Sequence, residues 1–127
     1  MDVLTSNSLY MMQRSLDYLW SKQTCILDNI ANVETPNHQA KYVTFEDTLK
    51  QAILDSAAES HTSAAIRQAI QDTPVVIHQA EESTRQDDNG VDITAQAVEL
   101  SSNAYQMQYV MNSISTDFST LRTVIRG

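Results

Sequence analysis

The sequence predicts a mostly α-helical protein in which long N- and C-terminal helices pair as a coiled coil, with a short irregular middle segment between them. The 127 residues include only two glycines and two prolines, so few positions favour a tight turn or break a helix. Apolar residues recur at helical spacing near both ends, whereas charge is concentrated in the middle. We therefore divide the chain into an N-terminal assembly helix (1–34), a motif turn with a variable, partly flexible middle segment (35–91) and a C-terminal assembly helix (92–127).

The N-terminal helix has a seam of apolar residues spaced alternately by three and four positions, with Gln23 in one expected slot. The seam comprises Leu9, Met12, Leu16, Leu19, Ile26, Ile30 and Val33. Trp20 and Leu27 lie beside this seam and widen it. A second line, spaced by seven, falls roughly opposite and comprises Leu4, Met11, Tyr18 and Cys25. A helix that is apolar on two opposed sides is expected to have neighbours on both.

The C-terminal helix is predicted to begin near Asp92, whose carboxylate can cap it after the turn-forming pair Asn89–Gly90. An uninterrupted seam follows, comprising Ile93, Ala97, Leu100, Ala104, Met107, Met111, Ile114, Phe118, Leu121 and Ile125. It continues for more than four heptads, which predicts a helix of about 50 Å at 1.5 Å per residue. From the first seam residue to Leu121, only Glu99 and Asp117 are charged. A solvated coiled coil normally carries Glu and Lys beside its seam, so this helix is expected to be surrounded.

The middle segment has weaker periodicity. Residues 46–58 contain one helical stretch, residues 63–70 indicate another, and Pro74–Ile77 indicate a short strand. Residues 79–89 are polar, acidic and without period, so a mobile loop is expected there.

Composition excludes several classes of function. The formal net charge is −8, with eight basic and sixteen acidic residues, which argues against binding nucleic acid through its phosphates. No apolar run approaches the roughly 18 residues of a membrane-spanning helix. The first residues lack the basic start and apolar core of a cleaved secretory signal, so composition alone indicates the cytoplasm.

No constellation of residues predicts catalysis or a cofactor. His38, His61 and His78 lack the spacing of a zinc site. Cys25 is the only cysteine, and its helical register with apolar residues favours a packing role over a nucleophilic one. We therefore expect no enzymatic activity, cofactor, metal or small-molecule substrate. A small helical enzyme stays a third hypothesis, and it would require activity that depends on one of these side chains.

A single apolar stripe is most often the core of a helical bundle. Here three features together favour assembly with other chains: helices at opposite ends of the chain, a second stripe on the first helix, and the scarcity of charge on the other. The predicted assembly interface comprises Leu9, Met12, Leu16, Leu19, Trp20, Ile26, Leu27, Ile30, Ile93, Leu100, Met107, Met111, Ile114, Phe118, Leu121 and Ile125.

The segment Asn29–Asn37 is predicted to terminate the N-terminal helix. Pro36 lacks an amide proton and disfavours helical geometry at Thr35. The side chains of Asn29 and Asn32 can hydrogen-bond the backbone groups that are freed where the helix stops.

This segment resembles the signature of bacterial flagellar rod and hook proteins, in which Asn-Ile-Ala-Asn, two variable residues, Thr-Pro-Gly and an aromatic residue close the N-terminal helix. The matching residues are Asn29, Ile30, Ala31, Asn32, Thr35 and Pro36. Asn37 replaces the glycine and is the next best residue for a left-handed backbone. His38 replaces the aromatic residue. Residues 9–49 and 89–127 carry the resemblance, and 40–49 and 121–127 are most similar to the short proximal-rod members.

The resemblance implies a structural subunit of the proximal rod of the flagellar basal body. Its terminal helices would self-assemble into the hollow drive-shaft and join it to the export apparatus and the inner-membrane ring, as motility requires. It also implies a periplasmic position reached through type III export without a cleaved signal peptide. The implied partners are further copies, other rod subunits, the rod-to-ring adaptor and the export-gate membrane proteins. The alternative is a soluble helical adaptor or export chaperone that binds one partner by coiled-coil pairing.

Overall fold

The computed structural model describes residues 7–60, 62–79 and 91–127, and the described part of the chain is mainly helical. The elements in order are α1 (Asn7–Ala31), β1 (Lys41–Thr44), α2 (Glu46–Ser60), α3 (Ser63–Asp72), β2 (Val76–Gln79) and α4 (Ile93–Arg126). The predicted fold class, with long terminal helices and a short middle segment, is confirmed. The predicted loop at 79–89 lies almost wholly outside the described residues.

Helix α1 is the central element, because it packs against α4, β1 and α3. From its seam Leu9, Leu19 and Ile26 are buried, and from the opposite line Tyr18 and Cys25 are buried. The prediction that both sides of this helix have neighbours is therefore confirmed. Leu4, the first member of the opposite line, lies outside the described residues.

Strand β1 was not predicted, and a side chain of α1 fixes where it begins. The Asn29 amide is almost fully buried, donates to the Lys41 carbonyl and accepts from the Lys41 amide, both at 2.8 Å. The strand has four residues, of which Val43 is buried and Tyr42 is exposed. Because an alternation of this length is too short to distinguish a strand from a loop, the sequence pattern does not reveal it.

Strand β2 begins two residues later than the predicted strand. It pairs antiparallel with β1, with Val43 opposite Ile77 and Thr44 opposite Val76. Pro74 has no amide proton to donate to a ladder, and it lies before the strand.

The core lies between the middle of α1 and the segment that follows it. Its buried members are Tyr18, Leu19, Cys25, Val43, Phe45, Leu49 and Ile70. The rings of Tyr18 and Phe45 stack with centroids 5.6 Å apart. The Arg14 guanidinium lies over the Phe45 ring and donates to the carbonyl of Thr73, which ties the end of α3 to α1. Leu49 and Ile70 bring α2 and α3 into the same core. These two helices correspond to the predicted helical stretches at 46–58 and 63–70.

Helix α4 begins as predicted, with the Asp92 carboxylate accepting from the amides of Thr94 and Ala95 at 3.0 and 3.2 Å. Its 34 residues correspond to about 51 Å. It runs antiparallel to α1, since Gln96 contacts Asn29 near one end of α1, whereas Asn103 contacts the middle of that helix. The predicted turn residues 89 and 90 lie outside the described part of the chain.

We expect Asn29→Ala to lower the free energy of unfolding by about 2–3 kcal/mol, because it leaves the amide and carbonyl of Lys41 without their partner in a part-buried position. Urea denaturation followed by circular dichroism measures the change. Asn32→Ala is the matched control, since the Asn32 amide donates only to its neighbour Asp28. Equal losses in the two variants would contradict a special role for Asn29.

Candidate assembly interface

The face of α4 that lies against α1 consists of two rows of residues spaced by seven. One row, from the predicted seam, is half-buried throughout and comprises Leu100, Met107, Ile114 and Leu121. The other row comprises Gln96, Asn103, Val110 and Asp117, and Asn103 is fully buried. The sequence analysis did not include this second row, because its residues are mostly polar.

Hydrogen bonds explain why polar residues occupy that row. The Asn103 amide donates to the Leu19 carbonyl at 3.0 Å and to Gln23 Oε1 at 2.8 Å. One turn from the end of α1, Asn29 donates to Gln96 Oε1 at 3.1 Å. Gln23 is the residue that interrupts the predicted apolar seam of α1. This polar residue in an apolar position was the sequence signal for a polar contact between the helices. Buried polar pairs between helices fix their register, because a shift of one turn would leave each group unpartnered.

An ion pair beside these contacts supports the same register. Lys22 Nζ lies 2.9 Å from Glu99 Oε2. Burial alone would lower the pKa of Lys22, but the hydrogen bond to Glu99 and the neighbouring Tyr18 and Glu46 raise that pKa overall. Glu99 is about half exposed, so the pair contributes little to stability.

The remaining row of the predicted seam is exposed. It comprises Ala97, Ala104, Met111, Phe118 and Ile125, which we call the free row. Met111, Phe118 and Ile125 retain 51%, 48% and 75% of their accessible surface. Trp20 of α1 extends this apolar surface, since Trp20, Ala104 and Met111 line one shallow pocket of about 320 Å³. Contiguous apolar surface of this kind is typical of an interaction site.

The predicted interface residues therefore fall into three groups, and their role in assembly stays a prediction. The buried group is Leu9, Leu19 and Ile26. The half-buried group is Met12, Leu16, Ile30, Leu100, Met107, Ile114 and Leu121. The exposed group is Trp20, Leu27, Ile93, Met111, Phe118 and Ile125.

The signature motif forms a turn held by its own hydrogen bonds. The Asn32 amide donates to the Asp28 carbonyl at 2.8 Å, and the Thr35 amide and hydroxyl donate to Asn32 at 3.0 and 3.1 Å. Pro36 is exposed, and Asn37 follows with a left-handed φ of 61°. Asn37 therefore has the left-handed backbone that asparagine tolerates best after glycine.

Cys25 and the histidines are the side chains that the sequence offers for catalysis or metal binding. Burial raises the pKa of the Cys25 thiol, which lies in the core and therefore stays protonated. The His78 ring stacks on Tyr42 and lies 2.6 Å from the Thr44 hydroxyl. His38 is half-buried, and His61 lies outside the described residues. Within residues 7–60, 62–79 and 91–127 no group of three or more His, Cys, Asp or Glu side chains is placed to hold a metal.

The helices that the structure describes include none that is long and apolar enough to span a bilayer.

A motif turn that closes one long helix, a second long helix paired with it, and an uncovered apolar row define a mainly helical protein with a candidate interaction surface. No family model matches the chain. The chain is 29% identical over 127 residues to the flagellar basal body rod protein FlgB of Bacillus subtilis (strain 168), with 98% of this chain and 97% of that protein covered. It is also 47% identical over 53 residues to FlgB of Borrelia hermsii, with 42% of this chain and 39% of that protein covered.

The chain is therefore similar to flagellar basal-body rod proteins, and the relatives that it matches are named FlgB. This similarity supports a structural protein of the flagellar basal body.

We expect Asn37→Ala to lower the free energy of unfolding by about 1–2 kcal/mol, because alanine tolerates a left-handed backbone poorly. Asn37→Gly is the matched control and should leave stability almost unchanged, since glycine adopts positive φ without steric cost. Thermal unfolding of the two variants measures the difference. Equal effects would show that the left-handed turn does not limit stability.

We expect Asn103→Ala to lower the free energy of unfolding by about 1–3 kcal/mol, because Gln23 loses its partner inside the contact between α1 and α4. Ser102→Ala is a suitable control, since Ser102 is an exposed neighbour on the same helix. Chemical denaturation of both variants measures the changes. An Asn103→Ala variant as stable as the control would contradict the role of this contact.

Proposed function

We propose that this chain is a structural subunit of the proximal rod, where it self-assembles through its terminal helices into the hollow drive-shaft. The observation that carries this proposal is the free row of α4. It continues the apolar seam that α1 only partly covers, and its large members remain exposed. Burial of such side chains is the main favourable term in protein association.

The low charge of α4 supports assembly over solvation. From Ile93 to Leu121, only Glu99 and Asp117 are charged, and Glu99 pairs with Lys22 of α1. Few charges therefore need to be desolvated when a neighbour covers the free row. Removing an unpaired charge from water is costly, so a charge-poor face suits a buried contact.

Further copies of the chain and other rod subunits are the partners that these apolar faces fit. From the resemblance of the signature motif to flagellar rod proteins, we also propose contacts with the rod-to-ring adaptor and with the export-gate membrane proteins. These contacts would join the rod to the inner-membrane ring and the export apparatus. The proposed route is type III export to the periplasmic side without a cleaved signal peptide, and the proposed consequence of assembly is motility. The similarity to FlgB over nearly the whole chain supports the proposed position in the rod, and the proximal end is proposed from the resemblance of residues 40–49 and 121–127.

We expect Phe118→Ala to block rod assembly and motility while export of the chain stays detectable. Truncation of a phenylalanine that becomes buried in the assembly costs about 3–5 kcal/mol per contact. The isolated chain should lose only about half of that stability, since 48% of the Phe118 surface is already exposed there. Swimming assays and electron microscopy of basal bodies, in a strain that carries only the variant, measure the outcome.

Val98→Ala is the matched control, because Val98 is 64% exposed on α4 but lies outside the free row. Motility with this variant is expected to be normal. Normal motility and normal rods with Phe118→Ala would overturn the proposed role of the free row.

A further inference from the structure

A groove of about 680 Å³ lies between α1, α2 and α4. Apolar and aromatic side chains form most of its walls, among them Met11, Leu49, Ile53, Leu54 and Tyr109. Leu54 and Tyr109 are 54% and 74% exposed. A cavity of about 150 Å³ accommodates a benzene ring, so this groove has room for several large side chains.

The last part of α4 offers side chains of that kind. Phe118 and Ile125 are exposed, Leu121 is half-buried, and all three fall on one side of the helix. We call residues 118–126 the α4 tip. The tip cannot enter the groove of its own chain, because Tyr105, Gln106, Tyr109 and Val110 line that groove and the two regions belong to one continuous helix. At 1.5 Å per residue their centres lie about 20 Å apart.

Helix α2, which forms one wall of the groove, and the α4 tip carry opposite net charge. Helix α2 has four acidic residues and the single cation Lys50. Glu46 and Lys50 both line the groove, and the exposed Asp47 adjoins it in the first turn of α2. The tip carries Arg122 and Arg126 and no acidic residue. Complementary charges favour a specific orientation between two partners more than they add affinity.

We propose that the α4 tip of one copy binds in the groove of a second copy of this chain. This contact rests on the proposed self-assembly. It also defines the orientation in which one copy adds to the next. It joins two different surfaces, so a pair of copies still has one unused groove, on the first copy, and one unused tip, on the second. Contacts of this head-to-tail type generate rings or open helical assemblies rather than closed dimers. A helical rod requires contacts of this type.

Crosslinking in intact basal bodies tests the contact. Two differently tagged copies, one with Leu54→Cys in the groove and one with Ile125→Cys in the tip, are expressed together in a strain that lacks the native gene. Both positions are exposed, whereas the native Cys25 is buried and gives only background. A short bifunctional maleimide is expected to join the two tags at least fivefold above the pair Leu54→Cys and Thr94→Cys. Thr94 is the control because it is exposed at the opposite end of α4.

Charge reversal supplies a second measurement. Arg122→Glu with Arg126→Glu in the tip copy should lower the crosslinked fraction about three- to tenfold, as expected for two exposed ion pairs. Glu46→Arg with Asp47→Arg in the groove copy should restore it. If Ile125→Cys or Leu54→Cys prevents assembly, Val124→Cys and Ile53→Cys replace them as a second tip and groove pair.

Three results would overturn the inference. Intact basal bodies that contain both copies without the crosslink would exclude the contact and leave the proposed function standing. A crosslink between two Ile125→Cys copies would place tip against tip, and a crosslink from Leu54→Cys to a different rod component would assign another occupant to the groove. Absence of the chain from basal bodies would overturn both this inference and the proposed function.

Discussion

The register between α1 and α4 is the constraint on which the rest of the structure depends. Asn103 is fully buried and its amide reaches both the Leu19 carbonyl and Gln23, so α4 has one favourable position along α1. That position turns the row of Asn103 inward and leaves the row of Met111 and Phe118 uncovered. If α4 rotated to bury its apolar row instead, these amides would be exposed or unpartnered. The polar contact inside the chain therefore determines which apolar surface remains available to another chain.

Asn29 links the signature motif to this arrangement. Its side chain satisfies the backbone of Lys41 on one side and contacts Gln96 of α4 on the other, so one amide connects the end of α1, the first residue of β1 and the start of α4. Asn32 acts within the turn itself, where Thr35 donates to it. Two asparagines three residues apart thus perform different tasks, because only Asn29 points into the molecule. The motif terminates a helix and also joins the three elements that meet there.

The sequence predicts the long helices well and the contact between them less well. Apolar spacing identifies α1 and α4, and cap and turn chemistry place Asp92 and Asn37 correctly, because these signals are local. Strand β1 is too short for a periodic signal, and its position depends on Asn29, twelve residues away. The inward row of α4 was missed because a seam is normally recognised by apolar residues, whereas Asn103 is buried through hydrogen bonds to a helix 80 residues away. Such pairing depends on tertiary structure.

Side-chain size along the free row increases towards the end of α4. The row has alanines at 97 and 104 and large side chains at 111, 118 and 125. Met111 shares a pocket with Trp20 of α1, and Phe118 and Ile125 lie in the α4 tip. Small residues permit close approach of a neighbouring backbone but bury little apolar area, whereas Phe118 and Ile125 each bury much more. A partner of this row would therefore gain most of its binding energy at the tip. If the proposed assembly is correct, association depends mainly on the second half of α4, whereas the buried Asn103 lies in the first half. A substitution in one half can then alter one property with little effect on the other.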